Sequence, residues 1–159
     1  MANATLSKGE RRSAARLAAV QALYEMDVAG TGVLEAVAEF ENHWMGLEID
    51  GMSFKQAEAA FFRDIVAGVV REQKPVDRRV DAALAKGWPL TRVEIVLRAV
   101  LRAGCYELMF RPDVPARVVI TEYVDVSRAF YSEDEPGFVN GVLDAIAREV
   151  RPGELAPRN

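Results

Sequence analysis

Glu94-Ile95-Val96-Leu97-Arg98-Ala99-Val100-Leu101-Arg102-Ala103-Gly104-Cys105-Tyr106-Glu107-Leu108 is the stretch that decides the fold. Its clearly polar line, Glu94, Arg98 and Arg102, recurs at i, i+4 and i+8, so those side chains share one edge of an α-helix. The rest of the circumference is apolar. A polar edge that narrow predicts a helix buried on most sides, the central element of its domain. Thr91-Arg92-Val93-Glu94 has the form of a capping box and opens this helix, which is expected to reach about Phe110.

Outward toward the C-terminus, Pro112 and Pro115 frame a turn, and Pro115 starts a sixth helix. Val118-Val119-Ile120-Thr121 has the composition of a strand. The longer pattern Ala116, Val119, Ile120, Tyr123, Val124, Ser127, Phe130 has helical spacing, and the period decides for helix. Ser132 to Pro136 reads as a loop, followed by a last helix to about Val150. Asn140-Gly141 is ordinarily a turn signal, yet Val139, Val142, Leu143 and Ile146 carry helical spacing through it. Gly141 is therefore expected to permit close backbone approach inside that helix.

Outward toward the N-terminus, Pro75 suits the first turn of a fourth helix, reaching about Lys86 and ended by Gly87-Trp88-Pro89. Ser53-Phe54-Lys55-Gln56 is a second capping box, before a third helix with Phe54, Ala57, Phe61, Ile65 and Val69 as its core stripe. A weaker helix covers roughly Leu34 to Trp44. Ser7 and Glu10 form another box that opens the first helix near Lys8. That helix should run to about Asp27, before Gly30-Thr31-Gly32, with Leu17, Val20, Leu23 and Tyr24 facing inward. The expected fold class is all-α: a compact seven-helix bundle forming one domain over residues 1–159. Its helical halves are approximately 1–73 and 74–159, and 152–159 is a short flexible tail.

Composition agrees with one globular core. Of 159 residues, 50% are hydrophobic and 28% charged, enough to bury a core without staples. Cys105 is the single cysteine, so no intramolecular disulfide exists, and its apolar surroundings suit a buried hydrophobe better than a nucleophile. His43 is the single histidine, which leaves neither a zinc site nor a catalytic triad to assemble. A Gly-rich phosphate loop and hydrolase motifs are absent. No catalytic residue, metal or cofactor is expected. The longest apolar run, Ile65 to Val70, is too short to span a bilayer, and no apolar signal core follows the N-terminus. A cytoplasmic protein without a membrane partner is expected.

Charge is distributed unevenly. Lys8, Arg11, Arg12 and Arg16 against Glu10 give residues 1–24 a net charge of +3, on a chain whose formal charge is -4. Lys8, Arg12 and Arg16 lie at i, i+4 and i+8 with Arg11 beside them, a face expected to be exposed. Guanidinium forks bind phosphate oxygens in pairs, so the ridge suits an RNA backbone. A solvated helix face is the plainer reading of the same four residues.

Four segments add to this. Arg16-Leu17-Ala18-Ala19-Val20-Gln21-Ala22-Leu23-Tyr24 resembles the opening helix of the NusB transcription antitermination family. Arg98-Ala99-Val100-Leu101-Arg102 running into Tyr106-Glu107-Leu108 is similar to the same family. So are Asp113-Val114-Pro115 with Ile120-Thr121-Glu122-Tyr123-Val124, and Phe138-Val139-Asn140-Gly141-Val142-Leu143-Asp144, in the family's order. The resemblance implies a non-enzymatic, all-helical factor that binds the boxA element of nascent ribosomal RNA leaders together with NusE, a ribosomal small-subunit protein. The pair joins the RNA polymerase antitermination complex and helps it past terminators. Family members occur as monomers and as homodimers.

Carried onto this chain, the RNA contacts implied are Arg12 and Arg16 with Lys8 and Arg11 as neighbours, then Asp134 and Phe138. The implied NusE surface includes Tyr24 and Glu94. The family's arginines usually sit immediately before the position of Arg16, where this chain has Ser13-Ala14-Ala15. Arg16 is therefore the most direct carry-over. Each residue also has a local reading: Tyr24 as core, Glu94 as a cap pairing with Arg98, Phe138 as a hydrophobic staple, Asp134 as an N-terminal helix charge. Two other classes compete. One is a helical protein-interaction module without RNA binding. The other is the N-terminal domain of ribosomal-RNA cytosine methyltransferases, disfavoured because neither a Gly-rich cofactor domain nor a catalytic cysteine motif follows.

Overall fold

The computed structural model describes residues 7–45, 56–84 and 93–157, and these form seven α-helices with no strand among them. The helices are α1 (Lys8–Ala29), α2 (Val33–Met45), α3 (Gln56–Arg71), α4 (Gln73–Ala83), α5 (Ile95–Phe110), α6 (Ala116–Arg128) and α7 (Glu135–Val150). α5 is the hub: it packs against α1, α3, α4, α6 and α7, while α2 lies on α1 and α3. Leu97, Val100, Leu101, Ala103, Tyr106 and Leu108 are among the residues it buries, as its narrow polar edge requires.

Contacts along α5 set the direction of its neighbours. Arg16 of α1 meets Glu107, and Asp27, three turns later, meets Arg98 and Arg102, so α1 runs antiparallel to α5. In α7 the order is reversed. Leu143 lies against Gly104, and Arg151 donates to the carbonyls of Glu107, Leu108 and Arg111.

The helix starts and stops follow local chemistry. Ser7 Oγ accepts from Glu10 N at 3.1 Å and Glu10 Oε1 accepts from Ser7 N at 3.2 Å, which completes the first capping box. Gly30 ends α1 at φ 69°, a left-handed conformation that glycine adopts without strain. In α6 the period prevails over strand composition, with Ala116, Val119, Ile120, Tyr123, Val124 and Ser127 all buried.

Several expectations are corrected. α5 begins at Ile95, because Glu94 is itself the N-cap and its carboxylate accepts from Val96 N at 3.3 Å. Thr91, the Ser53 box, Phe54 and Gly87-Trp88-Pro89 lie outside the described residues. α4 ends at Ala83, short of Lys86, since Leu84 turns to extended backbone and inserts into the core. Phe130 falls beyond the end of α6 and is exposed. α7 begins at Glu135, so Pro136 sits in its first turn, where a missing N–H has no partner to lose.

Gly141 is helical but faces open space. Close approach occurs instead at Gly68, where a Cβ would stand 2.2 Å from the Tyr106 ring, and at Gly104, where it would stand 2.9 Å from Leu143. Residues 151–155, at the start of the segment where a flexible tail was expected, are bonded to the fold. Arg151 also donates to Val114 O at 2.7 Å, Glu154 accepts from Ala116 N at 2.6 Å, and Leu155 packs on the core. These bonds satisfy end groups of α5 and α6 that the helices leave open.

Candidate nucleic-acid interface

The N-terminal ridge is built on α1, and the four cations on it meet four different environments. Lys8 is exposed. Arg11 pairs with the buried carboxylate of Glu58 on α3. Arg12 lays its guanidinium over the Phe61 ring at 4.5 Å and has no carboxylate within 4 Å among the described residues. Arg16 is 2% exposed. It is a core residue, contrary to the exposed ridge position expected of it.

Arg16 forks onto Glu107 of α5, with Nε at 2.8 Å and Nη2 at 3.0 Å, and reaches Glu122 of α6 with Nη1 at 2.7 Å. Tyr123 also donates its hydroxyl to Glu107, and Ser13 donates to Glu122. The result is a closed polar network binding α1, α5 and α6. Burial alone would lower the Arg16 pKa, but the hydrogen bonds and charge of Glu107 outweigh it and the pKa is raised. Burial and the adjacent Glu107 push the Tyr123 phenol well above its ordinary value, so it stays a donor. Every donor direction of Arg16 that this network fills is lost to a phosphate.

Around Phe61 the charge is dense. Arg16 and Arg111 stand over the ring at 4.9 Å each, beside Arg12. Arg111, in the turn between α5 and α6, forks onto Asp113 at 3.0 and 2.9 Å and holds Asp64 at 3.0 Å. Hydrogen bonds from Arg111 lower the Asp113 pKa to about 2. Within this cluster the charge of Arg12 also acts on Asp113, but Arg12, with Lys8 one turn before it, has no carboxylate within 4 Å among the described residues.

Asp134 and Phe138 sit at the start of α7. Asp134 is exposed; its side chain caps nothing, while its carbonyl accepts from Phe138 N at 3.0 Å. Phe138 is half-buried and packs on the core, unlike a free stacking ring. With Asp134 as N-cap, however, the residue before it is the exposed acid Glu133, so Phe138 has no apolar partner there for a hydrophobic staple. No described contact joins these two residues to the ridge. Because α7 runs with α5 and α1 runs against it, Phe138 and Lys8 lie toward opposite ends of α5.

The expected partner surface is more coherent. Tyr24 is 37% exposed, on the outside of α1 and not in the core stripe. One turn later Asp27 pairs with Arg98 at 3.9 Å and Arg102 at 3.2 Å, and Arg102 forks onto Asp77 of α4 at 2.8 and 2.9 Å. Arg98 thus turns to α1 and not to Glu94. Glu94, exposed at the start of α5, and Tyr24 flank this bridge between antiparallel helices. His43 belongs to α2, where its side chain is not among those described. No group of three or more His, Cys, Asp or Glu able to hold a metal occurs among the described residues.

A match to the NusB family model extends over residues 13–148, from inside α1, just after Arg12, through most of α7. The chain belongs to the NusB family. Transcription antitermination protein NusB of Rhodopseudomonas palustris strain HaA2 is 62% identical over 148 residues, covering 93% of this chain and 88% of that protein. The solved structure of T. maritima NusB superposes with a TM-score of 0.77 at 28% identity, over 90% of this chain and 94% of that one. NusB in the solved complex of antitermination factors NusB and NusE with double-stranded RNA gives 0.74 at 27% identity, over 87% and 97%. NusB proteins are transcription antitermination factors, a regulatory family, and this chain has their helical architecture. None of its described helices is long and apolar enough to cross a membrane.

Sequence reasoning overlooked Glu107, Glu122, Phe61 and Arg111 as members of this site. One signal was present. Arg16, Val20 and Leu23 are spaced i, i+4, i+7, which sets Arg16 on the core stripe, and Glu107 is an acid inside an otherwise apolar turn of α5. A buried charge demands an opposite one.

Proposed function

We propose that this chain binds the boxA element of nascent ribosomal RNA leaders together with NusE, a reading supported by its likeness to NusB solved in complex with NusE and double-stranded RNA. In this role it helps RNA polymerase past terminators, acts in the cytoplasm and catalyses no reaction. The observation that carries the reading is the pair Lys8 and Arg12 on the first helix of a NusB-family chain, cations with no carboxylate within 4 Å among the described residues. In this reading both contact phosphates, and the Phe61 ring holds the Arg12 guanidinium ready, which reduces the freedom lost on binding. Arg11 and Arg16 support the site from below through Glu58, Glu107 and Glu122. Asp134 accepts from base edges farther along the strand, and Phe138 shapes the surface there. Tyr24 and Glu94 contact NusE on either side of the Asp27–Arg98 bridge.

Two phosphate contacts predict a modest salt dependence. The slope of log affinity against log salt should be about -1.4 for single-stranded RNA, shallower than the value near -2 that three contacts would give. Fluorescence anisotropy of a labelled boxA-like RNA titrated with the NusB–NusE pair at several salt concentrations measures it. An affinity indifferent to salt would favour the alternative, a helical protein-interaction module whose cations only solubilise it.

A further inference from the structure

The ridge on α1 is not the only place where cations gather. α3 and α4 meet at Glu72, and an open groove of about 830 Å³ lies along their junction. Arg71, Lys74 and Arg78 line it, together with Gln73, Asp77 and Asp81. Lys74 and Arg78 are one turn apart on α4, both exposed, and neither has a carboxylate within 4 Å among the described residues. Arg71 is largely exposed, with Glu72 no nearer than 4.0 Å and the Tyr106 hydroxyl at 3.4 Å. Asp77 is neutralised, since both of its oxygens are taken by Arg102. That leaves Lys74 and Arg78, with Arg71 beside Glu72, against Asp81, at the amino half of a helix whose dipole adds positive potential there.

We propose that this groove is a second RNA track, which takes the phosphodiester backbone of nucleotides flanking the recognised element. The proposal rests on the RNA-binding reading above and extends it to a surface that the ridge does not include. An RNA backbone fits better than an acidic protein. Only Val70 and Pro75 are apolar in the lining, whereas protein partners need buried apolar or aromatic anchors. Guanidinium forks and a lysine at helical spacing bind phosphate oxygens without reading bases. The groove therefore contributes affinity and no sequence preference.

The test compares two RNAs on the intact chain with NusE: one limited to the boxA-like element, and one extended on both sides with uridines. The wild type is expected to bind the extended RNA roughly tenfold more tightly, with a salt slope steeper by about 1.4. The variant Lys74→Glu/Arg78→Glu, checked for unchanged helicity by circular dichroism, is expected to lose that advantage and to bind the short RNA as the wild type does. An advantage that persists in the variant, or none in the wild type, overturns the proposal. So does displacement by polyglutamate from a groove to which the uridine extensions add nothing, which would assign it to an acidic protein. If the wild type fails to bind even the short RNA, the RNA-binding reading itself has failed, a result distinct from loss of the flank effect alone.

Discussion

Removing the Arg16 side chain would leave Glu107 fully buried with only the Tyr123 hydroxyl to pair with it, and an uncompensated buried charge costs about 3–5 kcal/mol. Arg16→Met is expected to lower the unfolding free energy by that amount in urea denaturation. Arg16→Met/Glu107→Leu should recover part of it, because the orphaned carboxylate is gone. A single variant as stable as wild type would contradict the core role. Asp113 gives a pH prediction at the same scale. Its pKa is lowered from 3.8 to about 2, so it contributes stability above 3.8 that disappears as the pH falls through 2. Asp113→Asn should flatten the fall in stability over that window, read from urea midpoints, and an unchanged profile would exclude Asp113 as its source. The Cys105 thiol is buried and pushed up to about 12 by that burial, so a disulfide reagent should label it only after unfolding. Residue-scale legibility was uneven. Cys105 as a buried hydrophobe was readable from its neighbours, whereas Arg16 was assigned to the surface because its charge outweighed its position on the stripe.

Helices were legible wherever period and cap coincide. α1 opens at its capping box, and α6 follows the 3.6-residue period through four strand-forming residues because burial of Val119, Ile120 and Tyr123 decides conformation more strongly than intrinsic preference. Boundaries set by tertiary contacts were not legible. The buried Leu84 ends α4, and Glu94 caps its own helix, and neither follows from local pattern alone. The glycines make the same point. Gly141→Ala, on an exposed helical face with nothing near, should stabilise by about 1 kcal/mol. Gly104→Ala would drive a methyl toward Leu143 and Tyr123 and should destabilise by about 1–3 kcal/mol. Thermal denaturation of the two variants side by side measures both. Equal shifts would mean that the helix packing around Gly104 is looser than described.

At the scale of the molecule, a helical body with a net charge of -4 presents few cations free for RNA, because most of its arginines are tied to carboxylates within the fold. Family membership was legible in four ordered segments. The division of labour along α1 was not, since it depends on which acids of α3, α5 and α6 stand beneath each arginine. In the division we propose, Lys8 and Arg12 contact RNA phosphates, while Arg16, buried against Glu107 and Glu122, ties α1 to α5 and α6. The most direct test is anisotropy of a labelled boxA-like RNA with NusE, comparing wild type with Lys8→Glu/Arg12→Glu at equal helicity. Two reversed phosphate contacts should weaken binding by at least about tenfold and abolish most of the salt slope. Unchanged affinity and slope in that variant would contradict the account and remove the N-terminal ridge from the RNA site.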